Sequence, residues 1–151
     1  MRNLLLGVLA MALFSCAGTR PTDIGIIDGQ LAACPSSPNC VSSDADPGDS
    51  THYVAPLVLA VAPDVAWKAA RDAVTSLPRT EIITDDPNYM YAECTSRLMG
   101  YVDDLELQLR PDQGIIAVRS ASRIGYGDMG VNRARVEELR GKLVAGGAVK
   151  Q

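Results

Sequence analysis

Between Thr80 and Arg123 the chain offers four successive runs of alternating apolar residues, each closed by a turn signal, and this pattern dictates an antiparallel meander. The runs are Thr80 to Asp85, Tyr89 to Leu98, Asp103 to Arg110 and Ile115 to Arg123, separated by Asp86-Pro87-Asn88, Gly100 and Pro111-Asp112-Gln113-Gly114. Links this short join neighbouring strands only as hairpins. Successive side chains on a strand point to opposite faces, so Leu105, Leu107 and Leu109 line one face, with Glu106, Gln108 and Arg110 on the other. The same count turns Asp103 inward and Asp104 outward, and groups Met90, Ala92, Cys94, Ser96 and Leu98 on one face. Cys94 then reads as a buried, protonated thiol.

Two helices flank this meander. Pro63-Asp64 suits a helix start, and Trp67, Ala70, Val74 and Leu77 recur at spacings of three and four before Pro78. A second apolar stripe, Val136, Leu139 and Leu143, runs through 132–145 and stops at Gly146-Gly147. A preceding strand is expected over Tyr53 to Val61. The expectation is an α+β domain: an antiparallel sheet of about five strands, ordered strand, helix, four strands, helix, with both helices on one face, resembling a small helix-grip fold.

The N-terminus reads as an export signal. Met1-Arg2-Asn3 is basic and Leu4 to Phe14 is wholly apolar, shorter than the ~20 residues a membrane span needs. Residues 1–15 are therefore expected to be a signal peptide. Leu13-Phe14-Ser15-Cys16 resembles a lipobox, whose cysteine is acylated and becomes the mature N-terminus, although Phe14 is unusual there and ordinary signal cleavage is the alternative. Ala17 after the cysteine fits the sorting habit of enteric outer-membrane lipoproteins, so the expected location is the periplasmic face of the bacterial outer membrane, with the membrane as partner through lipidated Cys16.

Residues 16–51 are rich in Pro, Gly, Ser and Asp and read as a tether, leaving 52–146 as a single domain. Export implies an oxidising compartment, and the tight Cys34-Pro-Ser-Ser-Pro-Asn-Cys40 loop is expected to close as a disulfide. So small a ring contributes about 2 kcal/mol in the chain-entropy account. A formal net charge of −4 argues against nucleic acid as a partner. No metal or cofactor is expected: His52 is the single histidine, and Asp44, Asp46 and Asp49 lack the glycine offset and closing glutamate of a calcium loop.

Three blocks, Cys34 to Ser43, Gly100-Tyr101-Val102-Asp103-Asp104 and Arg119 to Arg135, resemble domain-of-unknown-function family 1499, in the family's order and across nearly the whole chain after Cys16. The resemblance implies an envelope or organellar setting and supplies no activity.

Within the third block, Gly125-Tyr126-Gly127-Asp128-Met129-Gly130 has the spacing of a dinucleotide fingerprint, but the chain ends with the helix that follows, so the glycines serve a tight strand-to-helix turn. Arg133 and Arg135 fall in the first helical turn, where the dipole disfavours cations, and Arg119 and Arg123 lead into the same turn. Two readings stay open. Either Asp104, Glu106 and Asp128 neutralise these arginines internally, or the cluster binds a phosphate, carboxylate or sulfate group of a small molecule or lipid, with Ser96, Asp103, Asp104, Arg119, Ser120, Ser122, Arg123, Asp128, Asn132 and Arg133 as the candidate ligand-binding residues. A binding or structural module is expected ahead of an enzyme. A hydrolase using Asp103 and the Arg119 to Arg133 region, and a scaffold for another envelope protein, are the alternatives.

Overall fold

A computed structural model describes residues 18–151; the apolar leader and Cys16 lie outside the described residues. The meander forms as its alternation requires: β5 (Thr80–Asp85), β6 (Tyr89–Thr95), β7 (Val102–Arg110) and β8 (Ile115–Ser122) pair antiparallel in sequence order. Leu105, Leu107, Ile116, Val118, Met90 and Ala92 fill the inner face, each fully buried. Helices α1 (Pro63–Thr75) and α2 (Val131–Ala145) both cover that face, with Trp67, Ala70 and Val74 from one and Val136, Leu139 and Leu143 from the other in a single core. The α+β architecture stands as the periodicity implies. No helix among the described residues is long and apolar enough to cross a membrane.

The sheet has six strands, not five. The extra one, β3 (Cys40–Ser42), pairs with β8 through Cys40↔Ala121 and Ser42↔Arg119, so the sheet begins inside the segment whose composition read as a tether. The strand expected over Tyr53 to Val61 is instead divided among three partners. Tyr53 bridges Ser42, β4 (Leu57–Val58) pairs with the start of β8, and Leu59 bridges Val149. Pro56 has no amide hydrogen to continue a ladder, and Arg140 donates to the carbonyls of Ala55 and Pro56 at 2.6 and 3.1 Å. Backbone pairing also extends the domain past residue 146, because Lys150 N–H donates to Val58 and Ala60 N–H to Ala148. Strand β6 stops at Thr95, so Ser96 and Leu98 leave the inner face and belong to the exposed β6–β7 hairpin loop.

Residues 18–39, ahead of β3, form a strap across the outer face of the sheet, which is the larger correction to the tether reading. A small hairpin of β1 (Ile26–Ile27) and β2 (Gln30–Leu31) sits over β7. Gly25 N–H donates to Glu106 at 2.7 Å, the Gln108 amide to Gly29 O at 3.2 Å, and Leu31 N–H to Asp44, which is also paired with Arg110. The strap holds because backbone groups find buried side-chain partners; it needs no apolar periodicity of its own.

Candidate functional site

The sheet divides the sequence-selected residues into two networks. On the outer face, beneath the strap, Arg119 donates to Glu106 at 2.7 Å and Arg123 forks onto Asp104 through Nε and Nη2 and also reaches Glu93. Tyr89 donates to Glu106 at 2.8 Å and Tyr91 to Asp104 at 2.6 Å. Asp104, Glu106 and Arg119 are all more than nine-tenths buried, so these are charges paired in low dielectric. Desolvation, reinforced by the adjacent carboxylates, pushes both tyrosine hydroxyls well above their ordinary range. Burial also opposes ionisation of Glu93, but hydrogen bonds from Arg20, Arg123 and Tyr91 outweigh it and hold the carboxyl at about 2.

On the inner side, where β8 turns into α2, the network centres on Asn132. Its side chain is fully buried; Oδ1 accepts from Ser120 Oγ at 2.6 Å and Arg135 at 2.7 Å, while Nδ2 donates to Asn39 O, Ser122 Oγ and Asp128. Arg135 continues to Asp103 at 2.7 Å. Asp128 accepts the amides of Gly130 and Asn132, capping the helix; burial opposes its ionisation, but these bonds hold its pKa below the usual carboxylate range. The loop that Gly125, Met129 and Gly130 bend at positive φ is thereby tied to the Cys34–Cys40 ring, since the Asn39 amide donates to Gly125 O at 2.7 Å.

The four arginines therefore do not share a site. Arg119 and Arg123 lie outside the sheet and Arg135 inside it, while Arg133 donates to the carbonyls of Tyr53, Thr51 and Ser50. Ser96 also stands apart, its hydroxyl accepting Tyr101 N–H at 2.9 Å. His52 is held by Asp49 at 2.6 Å and by Ser37 O at 3.2 Å, and both of its ring nitrogens are engaged there. Desolvation raises the Cys94 thiol pKa, and among the described residues no group of acids, histidines and cysteines could hold a metal.

The motif block from Arg119 to Arg135 thus builds one face of each network, and a family model for a protein of unknown function, DUF1499, matches residues 30–143. The chain belongs to the DUF1499 family. Neither a protein of curated function nor a solved structure matches it. In this DUF1499 domain the Cys34–Cys40 disulfide is formed, as its spacing implied.

Two cavities adjoin the networks. One, of 310 Å³, lies between the strap and β7–β8, with Asp104, Arg119 and Arg123 in its wall beside the disulfide loop. The other, of 370 Å³, opens on the inner side by Cys94, Ser96, Asp103 and Arg135. Arg119 in the first is the one arginine of the lattice left incomplete: its Nε is buried and has no acceptor. Sequence reasoning missed Glu93, Tyr89 and Tyr91 as members of this lattice, although their alternation with Met90 and Ala92 on β6 was the available signal.

Proposed function

We propose that this DUF1499 domain belongs to a membrane-anchored envelope lipoprotein and works by binding, with an anionic carboxylate or phosphate group of a small molecule or lipid seated in the 310 Å³ cavity under the strap. The observation that carries this reading is Arg119, which lines the cavity and whose buried Nε has no acceptor. A buried donor without an acceptor costs about 1–3 kcal/mol, which a ligand oxygen would recover once the guanidinium turned Nε toward the cavity. The charge balance narrows the ligand: Arg20, Arg119 and Arg123 already match Glu93, Asp104 and Glu106, and Asp23 stands at the rim. With these charges already balanced, the site has room for a group carrying at most one negative charge, and a polyanion is disfavoured.

The test is thermal denaturation of the full chain with acetate, inorganic phosphate, glycerol phosphate or short-chain phosphatidylglycerol, alongside native mass spectrometry. One probe should raise the melting temperature of the natural chain and leave Arg119→Lys, which retains a charge beside Glu106, unshifted. The two phosphate esters separate a free ligand from a lipid headgroup. No shift with any probe and no co-purifying anion would sink the reading.

A further inference from the structure

The most exposed large apolar side chains of the described residues gather on two loops. Leu98 is 89% exposed in the β6–β7 hairpin; Tyr126 and Met129 are 76% and 101% exposed between β8 and α2. Met99, Tyr101 and Ile124 add to them. The loops adjoin, because β7 and β8 pair up to Asp103↔Ser122 and Arg123 N–H donates to Val102 O. The second loop is built and not loose: Met129 at φ 53 and Gly130 at φ 81 turn it, and Asp128 ties it down through two amides. Large exposed apolar side chains gathered on adjoining loops mark an interaction site.

The chain's own start indicates the occupant. Gly18 lies against this end of the domain, where a Cβ on it would stand 3.0 Å from Arg123 Cβ and Ile124 Cγ2. Cys16 is two residues upstream, and two residues of extended chain span about 7 Å at most. Acyl chains on Cys16 would enter a bilayer beside Ile124. The flanking exposed cations are Arg79 and Arg97, with one exposed acid, Glu138, beside them, and the single carboxylate within the two loops, Asp128, is already engaged by amides. Aromatic and aliphatic tips rimmed by arginine suit an anionic lipid interface.

We infer that the β6–β7 and β8–α2 loops form a membrane-docking face that lies in the lipid interface next to the anchor. This deepens the proposed function and rests on its lipid-anchor part. The probe is a vesicle of phosphatidylethanolamine and phosphatidylglycerol with brominated acyl chains, added to the full chain carrying Leu98→Trp or Tyr126→Trp. Val65→Trp is the control, exposed on α1 near the β4 end of the sheet, opposite the loops. Trp67 is buried and gives the same background in each. Bromine should quench the Leu98→Trp and Tyr126→Trp chains several-fold more than Val65→Trp, and Leu98→Asp with Tyr126→Asp and Met129→Asp should lower vesicle partition of a Cys16→Ser chain by about tenfold or more. Mass analysis of the N-terminus reports acylation separately. An acylated chain with equal quenching at all three positions overturns the docking face and leaves the anchor standing. A chain without acyl mass overturns the anchor, and quenching by added vesicles then still decides the face.

Discussion

Replacing Asn132 by alanine removes five side-chain hydrogen bonds from a site with no solvent access. Not every partner is stranded. Arg135 keeps Asp103, Asp128 keeps two amides, and Asn39 O keeps Ser122 N–H. The Ser120 hydroxyl loses its acceptor and Ser122 Oγ loses its donor. At about 1–3 kcal/mol for each stranded group, together with a small cavity, the expected loss is about 3–5 kcal/mol. That is a large part of the 5–15 kcal/mol typical of a whole domain, roughly speaking. Urea unfolding at neutral pH measures it as a lower midpoint with an unchanged slope. Asn132→Asp preserves the volume but opposes Asp128 with a second carboxylate, so it separates lost bonding from lost packing. A cost below about 1 kcal/mol for Asn132→Ala would refute the claim that this network holds the β8–α2 junction.

Glu106→Gln should destabilise the domain by about 3–5 kcal/mol, because it leaves the Arg119 guanidinium buried and unpaired, while Glu106→Gln with Arg119→Met should recover most of that loss in the same assay. The Asp49 hydrogen bond raises the His52 pKa above its usual 6.5, so this pair's stabilisation is complete below that value and is lost as pH rises through the raised pKa. His52 in turn depresses Asp49 below 3.8, so the contribution also fades as pH falls through that depressed value. Melting temperatures at pH 5.5 and 8.5 should therefore differ more for the natural chain than for His52→Gln. Cys94, 3% exposed and with its pKa raised, should resist thiol reagents until denaturant is added, and rapid labelling of the folded protein would contradict the face assigned to β6.

The elements whose side chains carry a period were legible. Leu105, Leu107 and Leu109 oriented β7, and with it the opposed directions of Asp103 and Asp104, which find Arg135 and Arg123 on opposite sides of the sheet. Val136, Leu139 and Leu143 oriented α2 in the same way. Where stability comes from backbone groups meeting distant partners, no period exists to read. Cys40–Ser42 is a strand because β8 lies beside it, and the strap is ordered by single contacts such as Gly25 N–H on Glu106. The four-arginine cluster failed for a related reason: nearness in sequence does not survive a strand whose faces diverge and a helix that returns on one side only. Glu106 pairs with Arg119 and Asp104 with Arg123, while Arg133 found carbonyls instead of acids.

The strap also has a place in time. Gly25 meets Glu106 across 81 positions, Arg20 meets Glu93 across 73, and Asp44 meets Arg110 across 66, whereas the meander closes through hairpins. Long loops close after short ones, so a chain made from its N-terminus is expected to produce residues 18–39 first and to seat them last. Until β7 is complete the stretch beside Cys16 has nowhere to bind. On the proposed lipoprotein reading such a delay would be a window in which a modifying enzyme meets an extended substrate, and seating of the strap on the sheet would close it.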